Sequence, residues 1–217
     1  MINTVKDNSG IIKNFTDYET MSSWKTVLDK HFVPQSINQT HDPILREQGI
    51  AQDDYWEVIG KTQGIDHRHK GYLWFKKVIL DKIQPYFDKP FKLMYAHWAD
   101  SAKPLVLHQD NYPEMVPEGC TTYASMLIPY TVEHQLEDMH RAATVICNKP
   151  GTMTQAEYSE HLSHNHPACA DKYSIEQIYP WETGTLIWWD QQRWHGSNNF
   201  TLKAKNKQAL VIHTYAE

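Results

Sequence analysis

No stretch of the 217 residues stays apolar for the roughly 20 positions a membrane helix needs. The longest apolar runs are short, such as Thr185-Leu186-Ile187-Trp188-Trp189, and the N-terminal residues MINTVKDNSG contain no apolar signal core. Positive charge is scarce too. The 21 Lys and Arg stand against 26 Asp and Glu, a net −5, and no basic run or stripe appears. That balance argues against a nucleic acid or an anionic membrane as partner. Cysteine is sparse and odd in number, Cys120, Cys147 and Cys169, with no CxxC spacing. Unpaired thiols in a reducing compartment are the expectation, so the chain reads as a soluble cytoplasmic protein whose fold owes nothing to disulfides.

What is present is core material and histidine. At 41% hydrophobic and 22% charged, 217 residues suit a single domain, 1-217, with a sizeable core. Thirteen His, eight Trp and twelve Tyr make local context the question, since most of the His must lie at the surface. Residues 1-90 read as a helical portion packed on the core. Met21, Trp24, Val27 and Leu28 recur at helical spacing between Asp17 and His31, with Thr16 or Asp17 available as N-cap. Tyr72, Phe75, Ile79, Ile83 and Tyr86 trace a second, longer helix over Asp66 to Phe87, ended or kinked by Pro85. Between the two, loops and one short helix around Gln52 to Val58 are expected.

After Pro90 the pattern becomes short β-type runs. They are Phe91 to Trp98, Pro104 to His108, Thr121 to Ile128, Ala142 to Cys147, Thr185 to Trp189 and Gln208 to Thr214, punctuated by Gly119, Pro129, Pro150-Gly151 and Gly184. Evenly spaced strands without intervening helices suggest an antiparallel sandwich or barrel in an α+β chain, mainly β with N-terminal helices, and a double-stranded β-helix (jelly roll, cupin-like) core over residues 91-217 is the natural candidate. Residues 151-183 are polar and aperiodic, and read as a lid-like loop.

One constellation carries chemistry. His108-Gln109-Asp110 ends an apolar run, and in extended chain residues i and i+2 point the same way, so imidazole and carboxylate can converge. His195 lies 84 intervening residues beyond Asp110, after the strand-like Gly184 to Asp190 and before Gly196-Ser197-Asn198-Asn199. Two His and one carboxylate on one face leave the remaining positions of a metal open, the arrangement non-haem Fe(II) uses to take a cosubstrate and O2. Twelve positions on, Lys207 opens the last strand on the face shared by Ala209, Val211 and His213, where it can point inward and pair with a carboxylate.

His108-x-Asp110, the distant His195 and a basic Lys207 before an apolar strand together resemble the Fe(II)/2-oxoglutarate-dependent dioxygenase superfamily. The run GTLIWWDQQRWHGSNNF looks most like its phytanoyl-CoA-hydroxylase-like and prolyl-hydroxylase-like branches. The resemblance covers roughly residues 91 to 217. It implies His108, Asp110 and His195 as iron ligands and Lys207 as partner of the cosubstrate's distal carboxylate, with Lys203 and Lys205 nearby as rivals. Tyr123 and Ser125 alternate on a strand that would floor the cosubstrate pocket. The implied cofactors are Fe(II), 2-oxoglutarate and O2. The implied reaction is hydroxylation of a small molecule or an amino-acid side chain, with release of succinate and CO2.

Blander readings stand beside these. His161, His164 and His166, with Cys169, offer zinc-type donors, but their spacing matches no standard zinc module, and polar loops collect His without function. Tyr95 and His97 either line the pocket or pack in the core. Trp188, Trp189 and Trp194 either wall the site or are core, and Tyr179 and Trp181 read as lid residues. A cupin-like metal-binding jelly roll without 2-oxoglutarate chemistry is the alternative class, and a carbohydrate-binding sandwich with Trp on a sheet surface is a remoter one.

Overall fold

The computed structural model describes residues 8–28, 33–37, 54–59, 70–100, 104–133, 142–148, 151–200 and 206–217. Strand β1 (Ser9–Ile12) precedes helix α1 (Tyr18–Leu28), and strands β2 (Val33–Ile37) and β3 (Asp54–Ile59) follow. Helix α2 (Lys70–Phe75) runs on through a π-turn at Lys76–Leu80, an α-turn at Asp81–Ile83 and a 3-10 turn at Gln84–Tyr86. The remaining strands are β4 (Lys92–Asp100), β5 (Thr121–Glu133), β6 (Ala143–Asn148), β7 (Ser174–Pro180), β8 (Leu186–Asp190), β9 (Trp194–Ser197) and β10 (Asn206–Ala216). Seven form one sheet in the order β1-β8-β5-β10-β4-β3-β2 and three form a smaller sheet β7-β6-β9, and every described pairing is antiparallel. Among the described residues no helix is long and apolar enough to cross a membrane.

Strand β10 is central, and its sequence shows why. Leu210 and Ile212 join the helix-side core, while Ala209 and Val211 join a second cluster between the sheets, so the strand is apolar on both faces. Asp17 caps α1 by accepting from the Thr20 backbone N–H at 2.7 Å. From α1, Met21, Trp24 and Leu28, and from the second helix, Phe75, Ile79 and Ile83, pack on Ala96, Trp98, Met126, Ile128 and Trp188 of the larger sheet. Each such side chain contributes about 1.5–3 kcal/mol relative to leaving it in water. The other face of that sheet, with Leu127, Ile187, Trp189, Ala209 and Val211, shares one cluster with Ile146 of the smaller sheet, so the two sheets enclose a common interior.

The structure departs from the sequence reading in four places. Asp54–Ile59, expected as a short helix, is a strand paired with β2 and β4. Its Tyr-Trp-Glu-Val-Ile run is β-prone, and the free edge of β4 supplies backbone partners that a lone short helix would lack. Residues 151-183 are ordered rather than loop-like. Thr154 caps a helical turn in a reciprocal box with Glu157, and β7 pairs with β6. As the edge strand of the smaller sheet, β7 is largely half-buried or exposed, which erased the apolar signal. Strand β5 does not stop before Pro129 but shifts register there, the place where a residue without an N–H is tolerated. Finally, Pro104 to His108 is not a strand in its own right and touches β9 through an isolated bridge, His108 to His195. Residues 66–69, the start expected for the second helix, lie outside the described residues, as do Lys203 and Lys205.

Candidate metal centre

The irregular segment before Asp110 is laid along β9 by backbone hydrogen bonds. Ser197 N–H donates to Leu105 O at 2.9 Å, His108 N–H to His195 O at 2.8 Å, and His195 N–H to His108 O at 2.9 Å. Gly196 permits this approach, because a Cβ there would sit 3.0 Å from Leu105 O. His108 and His195 are thereby direct cross-strand partners, their rings 4.2 Å apart. Asp110, two residues on and tied by its N–H to Gln191 O, brings its carboxylate to the same point. The three ligating atoms lie within 4.8 Å of one another, and all three residues are at most 5% exposed.

Local contacts prepare both imidazoles. His108 Nδ1 lies 2.8 Å from Val106 O and His195 Nδ1 lies 3.0 Å from Arg193 O, each a carbonyl two residues back. A carbonyl only accepts, so both rings carry their proton on Nδ1 and present the Nε2 lone pair. Those atoms face Asp110 at 3.3 Å (His108 to Oδ1) and 3.2 Å (His195 to Oδ2). Cis ligands about 2.1 Å from one ion stand about 3 Å apart. Lone pairs converging at that spacing in a buried site call for a cation between them, and two imidazoles with one carboxylate suit Fe(II). Burial pushes the His195 imidazole down, against the pull of Asp110, toward the neutral form that a metal requires. Burial alone would raise the Asp110 carboxyl, but the surrounding imidazoles, His195 and His213 foremost, hold it well below the usual carboxylate range.

Two neighbours steady the carboxylate. Trp189 Nε1–H donates to Asp110 Oδ2 at 3.2 Å, and the indole lies against His195 with ring centroids 4.6 Å apart. His213 Nδ1 is 3.8 Å from Oδ2 and 2.8 Å from Ser125 Oγ. Trp189→Phe should therefore weaken metal binding about tenfold to a hundredfold while leaving the three ligands in place, as read from a Co(II) titration. An unchanged Co(II) affinity would show that the indole N–H does not set the carboxylate.

Lys207 faces the same interior at 3% exposure. Its Nζ donates to Ser197 Oγ at 2.8 Å and stands 4.3 Å from the Trp181 ring centroid and 4.2 Å from that of Phe200. Ser197, the partner of the ammonium, is two residues beyond His195 on β9, roughly 7 Å along the strand from the third residue of the group. Ser125 is on the inner face, engaged with His213. Tyr123 is not beside it. The register of β5 against β10 slips next to His213, and the Tyr123 ring turns to the helix side against Phe87 and Phe91, its hydroxyl donating to Asp88 at 3.1 Å. Alternation fails there because a bulge places consecutive residues on one side.

The other aromatic candidates separate in the same way. Trp188 packs on the helix side and Trp194 against Tyr173, which leaves Trp189 at the ligands. Trp181 is buried beneath Lys207 with its Nε1–H on Thr144 Oγ1 at 2.9 Å, and Tyr179 OH meets Ser9 Oγ at 3.0 Å, so neither is an exposed lid residue. Tyr95 stacks on His213 at 4.2 Å. Burial, with Tyr112 and Asp110 nearby, raises its phenol well above the usual value. His161, His164 and His166 do not converge: His161 faces Glu160 at 3.7 Å and His166 Nδ1 accepts from Ala168 N–H at 3.2 Å. Among the described residues His108, Asp110 and His195 are the one group suited to an ion.

The fold has solved counterparts. The structure aligns with SnoN, the non-heme alpha-ketoglutarate-dependent epimerase of nogalamycin biosynthesis, at TM-score 0.57 and 10% identity, over 98% of this chain and 79% of that one. A 2OG-Fe(II) oxygenase family oxidoreductase of Burkholderia pseudomallei gives 0.57 at 9% identity over 96% and 85%, and a prolyl-4-hydroxylase of Pseudomonas putida gives 0.52 at 10% over 98% and 94%. No family model and no curated protein sequence matches the chain. The fold is thus that of the Fe(II)- and 2-oxoglutarate-dependent oxygenases, with a His-Asp-His group at its centre.

Proposed function

We propose that the protein is an Fe(II)- and 2-oxoglutarate-dependent oxygenase built on a double-stranded β-helix, and that it hydroxylates a small molecule or an amino-acid side chain with release of succinate and CO2. The observation that carries this reading is the buried His108, Asp110 and His195 group with both Nε2 lone pairs turned to one point, and Lys207 on the same interior. Fe(II) held there would chelate the 2-oxo acid and activate O2. His108 and His195 bind through Nε2 because Val106 and Arg193 carbonyls occupy their Nδ1 protons. Asp110 supplies the one negative charge, with Trp189 restraining its Oδ2. Lys207 and Ser197 receive the distal carboxylate, and the rings of Trp181 and Phe200 keep water from that end.

Asp110 favours hydroxylation over halogenation, since in the halogenating members of the superfamily that the sequence resembles halide takes the place of this carboxylate. The fold does not choose among outcomes, because the similar structures include an epimerase, a carbocyclase and prolyl hydroxylases. Their printed partners are small molecules such as nogalamycin RO and hygromycin B, or a peptide fragment, which fits the substrate classes proposed here. The three free thiols suit a reducing compartment, and the cytoplasm is the proposed location.

The test is anaerobic addition of Fe(II) and then 2-oxoglutarate, followed in the visible. A metal-to-ligand charge-transfer band that needs both additions is the expected result. Tight Fe(II) binding with no such band would favour the cupin-like alternative.

A further inference from the structure

His164 lies in the segment between β6 and β7, and its protonation pattern follows from two hydrogen bonds. Leu107 N–H donates to Asn165 Oδ1 at 2.7 Å, which fixes the orientation of that amide. Asn165 Nδ2 is then the donor in its 3.0 Å contact with His164 Nε2, so Nε2 accepts and the imidazole proton sits on Nδ1. The other neighbour of Nε2, Leu105 O, is 3.4 Å away, too far to compete. His164 Nδ1 is a buried atom with no hydrogen-bond partner among the described residues. A buried N–H donor left without an acceptor costs about 1–3 kcal/mol, a reason to look for the acceptor in a ligand.

The place of the ring suggests which ligand, since the Lys207 charge is among the groups that act on it. Leu105 O, beside His164, also accepts from the Ser197 N–H, and the Ser197 hydroxyl accepts from Lys207. Asn199 Nδ2 on Ser163 Oγ at 2.6 Å anchors the same turn over the exit of β9. Burial, together with the Lys207 charge and against the Leu105 carbonyl, lowers the His164 imidazole to about 4, so it is neutral at pH 7.

We propose that His164 donates its Nδ1–H to the anionic end of the ligand that Lys207 and Ser197 receive, making it a determinant of selectivity for a dicarboxylate. This rests on the oxygenase reading, in which that ligand is 2-oxoglutarate. A neutral donor beside a cation adds a directed hydrogen bond without adding charge, so the pocket gains selectivity for a carboxylate placed at one depth. Of the His161, His164 and His166 cluster, His164 thus serves an anion rather than a metal.

The experiment is anaerobic calorimetry of the Fe(II)-loaded protein with 2-oxoglutarate and with oxalate, a chelator too short to reach Lys207. His164→Ala should weaken 2-oxoglutarate at least about tenfold, the value of one hydrogen bond to a charged acceptor, and leave oxalate and Fe(II) affinity unchanged. His164→Asn, which keeps a donor near the Nδ1 position, should restore 2-oxoglutarate to within about threefold of wild type. Unchanged 2-oxoglutarate affinity in His164→Ala, an equal loss for oxalate, or failure of Asn to restore binding would each overturn the inference. Wild-type protein that binds Fe(II) and oxalate but not 2-oxoglutarate would instead overturn the oxygenase reading itself.

Discussion

His195→Ala is expected to abolish tight Fe(II) binding and, with it, metal-dependent formation of succinate. The ring supplies one of three ligand atoms, and its backbone is the cross-strand partner of His108, so no neighbouring donor can move into its place. The nearest further imidazole, His213, sits on β10 and is taken up by Ser125 at 2.8 Å. His108→Ala should behave alike. His213→Ala should keep metal affinity within about tenfold, because that ring approaches Asp110 only at 3.8 Å and is an outer contact of the carboxylate. Equilibrium dialysis against Fe(II), with circular dichroism as the check on folding, separates these cases. Undiminished metal binding by folded His195→Ala would remove His195 from the ligand set.

The convergence of His108, Asp110 and His195 is legible because its signal is local in two pieces and each piece is short. His108-x-Asp110 is an i, i+2 pair, and His195 falls where a strand gives way to small residues. What the sequence could not express is how the pieces lock. His108 and His195 are joined by reciprocal backbone hydrogen bonds, and backbone groups carry no sequence signature. Alternation along β10 marks Lys207 as inward-facing, and it holds from Lys207 to His213, with Ala209 and Val211 on one face and Leu210 and Ile212 on the other. The same rule failed for Tyr123, since a register slip in β5 is invisible to a period-2 count.

Strand β7 carries no apolar signal, for the opposite reason to β10. An edge strand needs partners on one side only and keeps exposed polar residues such as Glu176 and Gln177, so its pattern resembles loop. His164 and Ser197 were unreadable as pocket residues because their relevance comes from Leu105 O, a main-chain atom that both touch. Contacts organised around a carbonyl belong to the fold, whereas the alternation of Leu210 and Ile212 against Ala209 and Val211 belongs to the chain.

Lys207→Met should lower the affinity for 2-oxoglutarate by at least about tenfold, or about 1.4 kcal/mol, with Fe(II) affinity unchanged. A dicarboxylate held by a metal at one end brings a second charge into a closed interior, and leaving that charge without a cation costs several kcal/mol. The ammonium meets it from an inner-face position that is 3% exposed, donating to Ser197 Oγ across the gap between the sheets. Methionine keeps an apolar stem against Trp181 and Phe200, so the variant should fold, and the loss should report charge rather than collapse. Lys203→Ala and Lys205→Ala should leave 2-oxoglutarate affinity at the wild-type value. Oxalate again serves as the internal standard, because a ligand that ends at the metal has nothing to lose when Lys207 is removed. If Lys207→Met binds 2-oxoglutarate as tightly as wild type while Lys203→Ala or Lys205→Ala does not, the clamp lies in that other lysine. If none of the three changes the affinity, the distal carboxylate is not what this face of β10 recognises.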